Sequence, residues 1–403
     1  VPVMVGLVGR SGQALPLHLD GEEGDAAAGD ARTERLLVLE SESARWTFTG
    51  LTQAPVPSLL RGFSAPVRLD DGLSDSDLLV LLAHDPDAFN RWEAGQRLMT
   101  RRLLAAARRA EPSTVLGDDL IEGLKGVLHH AHLAPALKEL ALTLPSEVYL
   151  AEQCEVVDPE RLHAVREAAL DELATRLGAD WAETFASHQV MGSYSPDPDS
   201  AGRRALASLA LAMLCRQGLL NGDAVWPGRA YQRVKDSSNM TDRQGALQAL
   251  LASGAELATP ALERFHALFR DEALVIDKWF ALQAQAPERD GRVFDRAQTL
   301  LRHRDFSLRN PNRARSLVLA LCNGNPAAFH RRDGAGYRLW AEQLLAIDAI
   351  NPQLAARLAR AMDRWARLAE PWRSAARETL QRVAATPGLS ADVQEILNRA
   401  LAD

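Results

Sequence analysis

The chain has 403 residues, a formal net charge of −7, 47% hydrophobic residues and 25% charged residues. That is enough chain for two or three domains and a large core, with the composition of an ordinary soluble globular protein. The acidic balance argues against general nucleic-acid binding, and no apolar run approaches the ~20 residues that span a bilayer.

The N-terminus, Val1-Pro2-Val3-Met4-Val5, has no basic leader segment, so neither a signal peptide nor a natural start is expected there. The next residues read as β structure. Residues 3–8 form a short apolar run closed by the turn signals Gly9-Arg10-Ser11-Gly12, and residues 14–19 return. Residues 20–30 form an acidic, Gly- and Ala-rich loop. Residues 35–40 and 44–49 give further β-type runs, with Trp46 and Phe48 alternating in the second, and Pro55 and Pro57 lead into residues 58–69. In outline this is a small β-sandwich over residues 1–70.

From Ser74 onward the pattern is helical almost without break. Asp85-Pro86, Asp158-Pro159, Thr259-Pro260, Asn310-Pro311, Asn325-Pro326 and Asn351-Pro352 each place a capping side chain before a proline. At the first helical position the missing N–H costs nothing, while the capping oxygen accepts from an orphan backbone donor. Ser74-x-x-Asp77 and Thr241-x-x-Gln244 have the spacing of capping boxes. Residues 191–200, with Pro196 and Pro198, read as an internal loop. No fixed repeat period is found, so the expected fold class is mainly α: a small β-sandwich followed by a large irregular helical array, an α-solenoid-like superhelix over residues 71–403.

Few constellations carry chemistry. Cys154, Cys215 and Cys322 lie far apart without a Cys-x-x-Cys, which reads as buried thiols in a reducing compartment. His129, His130 and His132 cluster, and His129 and His132 have the spacing to share a helical face, but no third ligand follows at a metal-like spacing. Ser64 and Ser193 sit in no nucleophile elbow, and Gly334-Ala-Gly336 makes no phosphate loop. The tryptophans read mostly as core anchors, and Asp277-Lys278 as a structural polar pair. Between residues 296 and 338, nine arginines stand against two acids, Asp305 and Asp333. Such a basic segment can focus a field on an anionic group; an internally paired or solvated face is the plain alternative.

Five segments in order carry a resemblance: Leu59-Leu-Arg-Gly-Phe-Ser-Ala-Pro-Val67, His84-Asp-Pro-Asp-Ala-Phe-Asn-Arg-Trp-Glu-Ala-Gly-Gln96, Asn239-Met-Thr-Asp-Arg243, Leu274-Val-Ile-Asp-Lys-Trp-Phe280, and a block from His303 to Leu358 that includes Asn310-Pro-Asn-Arg-Ala-Arg-Ser-Leu317 and Ile350-Asn-Pro-Gln-Leu-Ala-Ala-Arg-Leu358. Together they resemble the C-terminal half of bacterial-type aminopeptidase N, a zinc metallopeptidase family. The resemblance implies an immunoglobulin-like domain, with the family's opening strand expected ahead of Val1 and an edge left unpaired, and then the helical domain. No histidine here is followed by Glu, so the His-Glu-x-x-His of that family is missing, and no Met is followed by Glu, so its Gly-x-Met-Glu-Asn is missing too.

The resemblance therefore implies a non-catalytic portion. No catalytic residue is assigned; zinc would belong to the full-length enzyme, and no metal is expected on this chain. The implied partners are the N-terminal catalytic half and peptide substrates, with no nucleic acid and no membrane, in the cytoplasm. In that family the helical domain encloses the active-site chamber, and the helix at Asn351-Pro352 reaches the substrate. Gln353 and Arg357 lie at i and i+4, so they share a face. Gln353 is expected to hydrogen-bond a peptide backbone, and Arg357 to bind a carbonyl or terminal carboxylate. Pairing of Arg357 with Asp348 would be the structural alternative. Arg315 is a further candidate, for bracing against the catalytic half. The rival functional reading is an autonomous helical scaffold for protein–protein interaction; a hydrolase built on the histidine cluster is a third.

Overall fold

A computed structural model describes residues 1–21, 32–109 and 114–402. It is mainly α-helical, with short strands confined to the N-terminal region, as expected. The acidic loop expected at residues 20–30 falls almost wholly outside the described residues. The chain divides into two compact units: Val1–Ala105 with Ser113–Pro145 and Ser195–Leu206, and Ala106–Pro112 with Ser146–Tyr194 and Ala207–Asp403.

In the first unit the strands are β1 (Pro2–Val8), β2 (Ala14–Leu15), β3 (His18–Leu19), β4 (Glu34–Val38), β5 (Phe48–Thr49) and β6 (Val56–Leu59). β1 is the centre of the larger sheet. It pairs antiparallel with β4 from Pro2↔Val38 to Gly6↔Glu34, and with β6 from Val5↔Leu59 to Val8↔Val56. Both of its edges are thus taken at Val5 and Gly6. The run expected at residues 14–19 splits into β2, which pairs β1, and β3, which pairs β5. Pro16 lies at the break, where it has no N–H to give a ladder. Trp46 falls outside β5 and is 36% exposed.

β6 begins ahead of Pro57 and covers only the first two residues of the 58–69 segment. After β6, Leu60 and Phe63 take positive φ values of 58° and 53°, and the chain turns. This turn sends Arg61 back under the sheet, where it is buried against Asp85, with Nη2 3.1 Å from Oδ1. Arg61 also donates from Nε to Ser58 Oγ at 2.8 Å and pairs with Glu34 at 3.0 Å. Gly6 makes room for it, since a Cβ there would lie 2.0 Å from the Arg61 Cζ.

Most helix starts follow the sequence. Asp158, Asn310, Asn325 and Asn351 each accept from a first-turn amide ahead of a proline, and Ser74 with Asp77 forms a full capping box. Three caps differ. Asp85 accepts from the Asp87 amide at 3.0 Å while pairing with Arg61, and the helix starts later, at Ala88, with Asp87 accepting from the Asn90 amide at 2.8 Å. Thr259 lies inside a helix that begins at Ala258. Asn239, whose side chain accepts from Asp242 N–H at 2.9 Å, displaces Thr241 as the cap of Met240–Ser253.

The second unit is built around buried aromatic rings. Trp181, Trp340, Trp372, Phe265, Phe280, Phe329 and Tyr337 are all fully buried. Several indoles also tie one segment to the next through Nε1–H: Trp279 to the Leu262 carbonyl at 3.0 Å, Trp340 to Leu358 at 2.9 Å and Trp365 to Ala400 at 2.7 Å. The apolar body fills the core while the polar edge satisfies a backbone group that water cannot reach.

Candidate functional site

The helix Pro352–Ala359 begins at Asn351, whose side-chain oxygen accepts from the Leu354 amide at 3.0 Å. Leu354, Ala355, Leu358 and Ala359 are buried, which fixes the rotation of the helix. Gln353 and Arg357 consequently both fall on its exposed side, sharing a face as their spacing predicts. The far end is held by the Trp340 indole bonded to the Leu358 carbonyl.

Arg357 does not pair with Asp348. Both oxygens of that carboxylate are taken by Ser390, one by its amide at 2.8 Å and the other by its hydroxyl. Among the described residues, Arg357 has no hydrogen-bonding or ionic partner. Arg360, three residues on and also exposed, has none either and extends the cationic face; the sequence reading missed it, although the i+3 spacing from Arg357 was there to be seen. An exposed guanidinium next to an exposed amide on a rigid, capped helix can grip a carbonyl or carboxylate group.

The basic segment largely resolves into internal pairs. Arg313 is buried 3.3 Å from Asp277 and lies over the Phe280 ring at 5.2 Å, so Asp277 answers to Arg313. Arg331 pairs with Asp333 at 2.8 Å and Arg332 with Glu160 at 2.6 Å. Arg315 is exposed, donates to Asn312 Oδ1 at 3.1 Å and opens a widened, π-type stretch at Arg315–Leu319. Such stretches occur often at functional sites.

His129 ends the helix Asp118–His129, and His130 and His132 lie in the turn beyond, so the expected shared helical face does not form. Three other side chains do converge, with no spacing in the sequence to announce it: the donor atoms of His266, His303 and Asp305 lie within 4.8 Å of one another. A cavity of about 370 Å³ is lined by Glu147, Cys322, His330, Arg364 and Trp365 among others. Burial pushes the Cys215 thiol up to about 12 and raises Cys154 and Cys322 as well, which leaves poor nucleophiles.

An N-terminal β-domain leading into a helical array, with a capped helix that displays Gln353 and Arg357, defines a helix-dominated module. Residues 1–72 match a domain of unknown function (DUF3458) with an Ig-like fold, and residues 75–402 match a domain of unknown function (DUF3458_C) with ARM repeats. The chain belongs to this family and corresponds to the C-terminal region of aminopeptidase N. It is 38% identical over 370 residues to aminopeptidase N of Caulobacter vibrioides, covering 92% of this chain and 42% of that protein. Aminopeptidase N of Escherichia coli is 31% identical over 405 residues, covering 100% of this chain and 45% of that protein. A solved structure, Legionella pneumophila aminopeptidase A in complex with aspartic acid, superposes with a TM-score of 0.83 at 27% identity over 100% of this chain and 45% of that one. The chain thus spans less than half the length of the curated relatives it matches. Among its described helices none is long and apolar enough to cross a membrane.

The catalytic zinc that the resemblance implies does not fit the residues present. No histidine is followed by Glu, so no helix can present two zinc-binding histidines with the general base between them.

Proposed function

We propose that this chain is the non-catalytic portion of a zinc-dependent aminopeptidase N, an enzyme that removes N-terminal amino acids from peptides in the cytoplasm. Its part is to enclose the active-site chamber and help hold the peptide. The zinc and the groups that act with it belong to the N-terminal catalytic half, which is the partner. The division at residue 70 between an immunoglobulin-like sandwich and a helical domain is part of the same reading. The observation that carries it is the exposed Gln353–Arg357 face, held on a capped helix without an internal partner, in a chain that matches aminopeptidase N along its whole length.

Gln353 both donates to and accepts from a peptide backbone, and Arg357 offers paired donors to a carbonyl or terminal carboxylate. Enclosure would admit short or unfolded peptides in preference to folded proteins, and would strengthen these polar contacts by excluding water. The unpaired cysteines support a reducing compartment.

Mixing this chain with the matching catalytic half and assaying release of an N-terminal amino acid from a short peptide tests the reading. Association with restored turnover is the expected result. Absence of both, together with capture of a defined protein by this chain alone, would turn the assignment toward a scaffold.

A further inference from the structure

A second site lies apart from the Gln353 helix. His266 is in the last turn of the helix Ala258–Phe269, and His303 and Asp305 are in the turn after the helix Arg292–Leu300. His266 Nε2 is 2.7 Å from Asp305 Oδ2, and His303 Nδ1 is 3.7 Å from that same oxygen. Among the described residues this is the one group of three His, Cys, Asp or Glu side chains close enough to hold a common ion. Around a tetrahedral ion with bonds of about 2.0–2.2 Å, ligand atoms sit roughly 3.3 Å apart. These two separations bracket that value, while the three ligand atoms together lie within 4.8 Å, so the side chains would have to draw in around an ion.

The Asp305 amide donates to His303 Nδ1 at 3.2 Å, a bond that a cation at that nitrogen would have to displace. Trp279 forms a wall, its ring centre 4.8 Å from that of His266 and 5.3 Å from that of His303, with Phe280 5.8 Å from His303. Arg304 Nε lies 3.8 Å from Asp305 Oδ1 and works against a cation, so the ligands must supply the affinity.

We propose that His266, His303 and Asp305 form a three-ligand site for a borderline divalent cation of the zinc, cobalt or nickel type, joining the helix Ala258–Phe269 to the turn at residues 303–305. Two imidazoles and one carboxylate select such ions over magnesium or calcium, which take all-oxygen shells. A fourth position is left for water. The proposal does not depend on the reading of the chain as part of an aminopeptidase. It departs from the expectation that this chain binds no metal.

The test is a titration of the whole 403-residue chain with cobalt(II) chloride, read by visible absorption and by calorimetry. One-to-one binding with a ligand-field band is expected, and zinc should displace it. Asp305→Asn and His303→Asn should each weaken binding at least about tenfold, as loss of one ligand in three implies. The double variant of His130→Asn and His132→Asn should bind like the parent. Circular dichroism checks the fold, and His303→Asn serves if Asp305→Asn does not fold. No saturable one-to-one binding, or binding untouched by the ligand variants, would overturn the site. Neither result bears on reconstituted peptidase turnover, because the catalytic half is absent from the titration.

Discussion

Asp348 gives both carboxylate oxygens to Ser390 and neither to Arg357, which has no anionic partner among the described residues. Ser390 supplies its amide at 2.8 Å and its hydroxyl. Arg357→Ala should therefore leave stability within about 0.5 kcal/mol of the parent, as for an exposed substitution away from any anchoring contact. In the reconstituted enzyme the same change should raise KM for short peptides about tenfold or more, with Gln353→Ala weaker in the same direction. A matched pair of melting curves and steady-state assays separates the two effects. Unchanged kinetics in an associated complex would remove Arg357 from the peptide's path.

The Trp340 indole holds the end of the same helix through the Leu358 carbonyl. Trp340→Phe keeps most of the apolar volume and leaves that carbonyl with the Arg360 amide alone, for a loss of about 0.5–1.5 kcal/mol. Chemical denaturation followed by circular dichroism measures it. A loss near zero would mean that the carbonyl finds another donor.

Gly6→Ala would drive a methyl group into the Arg61 guanidinium and prise it from Asp85. Arg61 and Asp85 are both buried, and separating a buried pair leaves an uncompensated charge at a cost of about 3–5 kcal/mol. The expected readout is a lower melting temperature with early proteolysis of the β-region. A variant as stable as the parent would show that Arg61 does not need the space above Gly6.

His330 packs its ring against Phe329 and Tyr337, with centroids 4.8 Å and 5.7 Å away, although part of the residue borders the cavity. Burial pushes its pKa down to about 4, from 6.5. The unfolded chain therefore takes up the proton first. This residue adds no penalty above about pH 6.5; stability is lost as pH falls from there, until both states are protonated below about 4, at no more than about 1.4 kcal/mol per pH unit. His330→Gln, which can still bond the Tyr337 hydroxyl, should flatten that part of the stability profile. A parallel profile would assign the acid sensitivity to other groups.

Cys215 and Cys322 are buried, whereas Cys154 is only partly so. A disulfide-exchange reagent added to the native chain should label Cys154 first and reach the other two only on unfolding. Rapid labelling of all three would mean that the second unit opens locally on the assay timescale.

How legible the molecule was in its sequence differs from one feature to the next. The Asn-Pro pairs at 310, 325 and 351 announced their helices because a cap is a local event: one side-chain oxygen meets amides two or three residues on. The shared face of Gln353 and Arg357 follows from helical geometry, and the missing zinc motif is a plain fact of residue order. Asp85 shows the limit. By local chemistry it is a cap, and it does accept from the Asp87 amide, but the turn at Leu60 also brings Arg61 to it, an ion pair 24 residues apart that no local spacing announces. The same holds for Asp348, which was a candidate partner for Arg357 until the fold placed Ser390 against it, and for His266, which meets Asp305 from 39 residues away. Residue order alone determined the contacts made within a helical turn; which groups from distant segments satisfy one another was decided by packing, because a buried polar atom takes whichever partner the core brings within hydrogen-bonding reach.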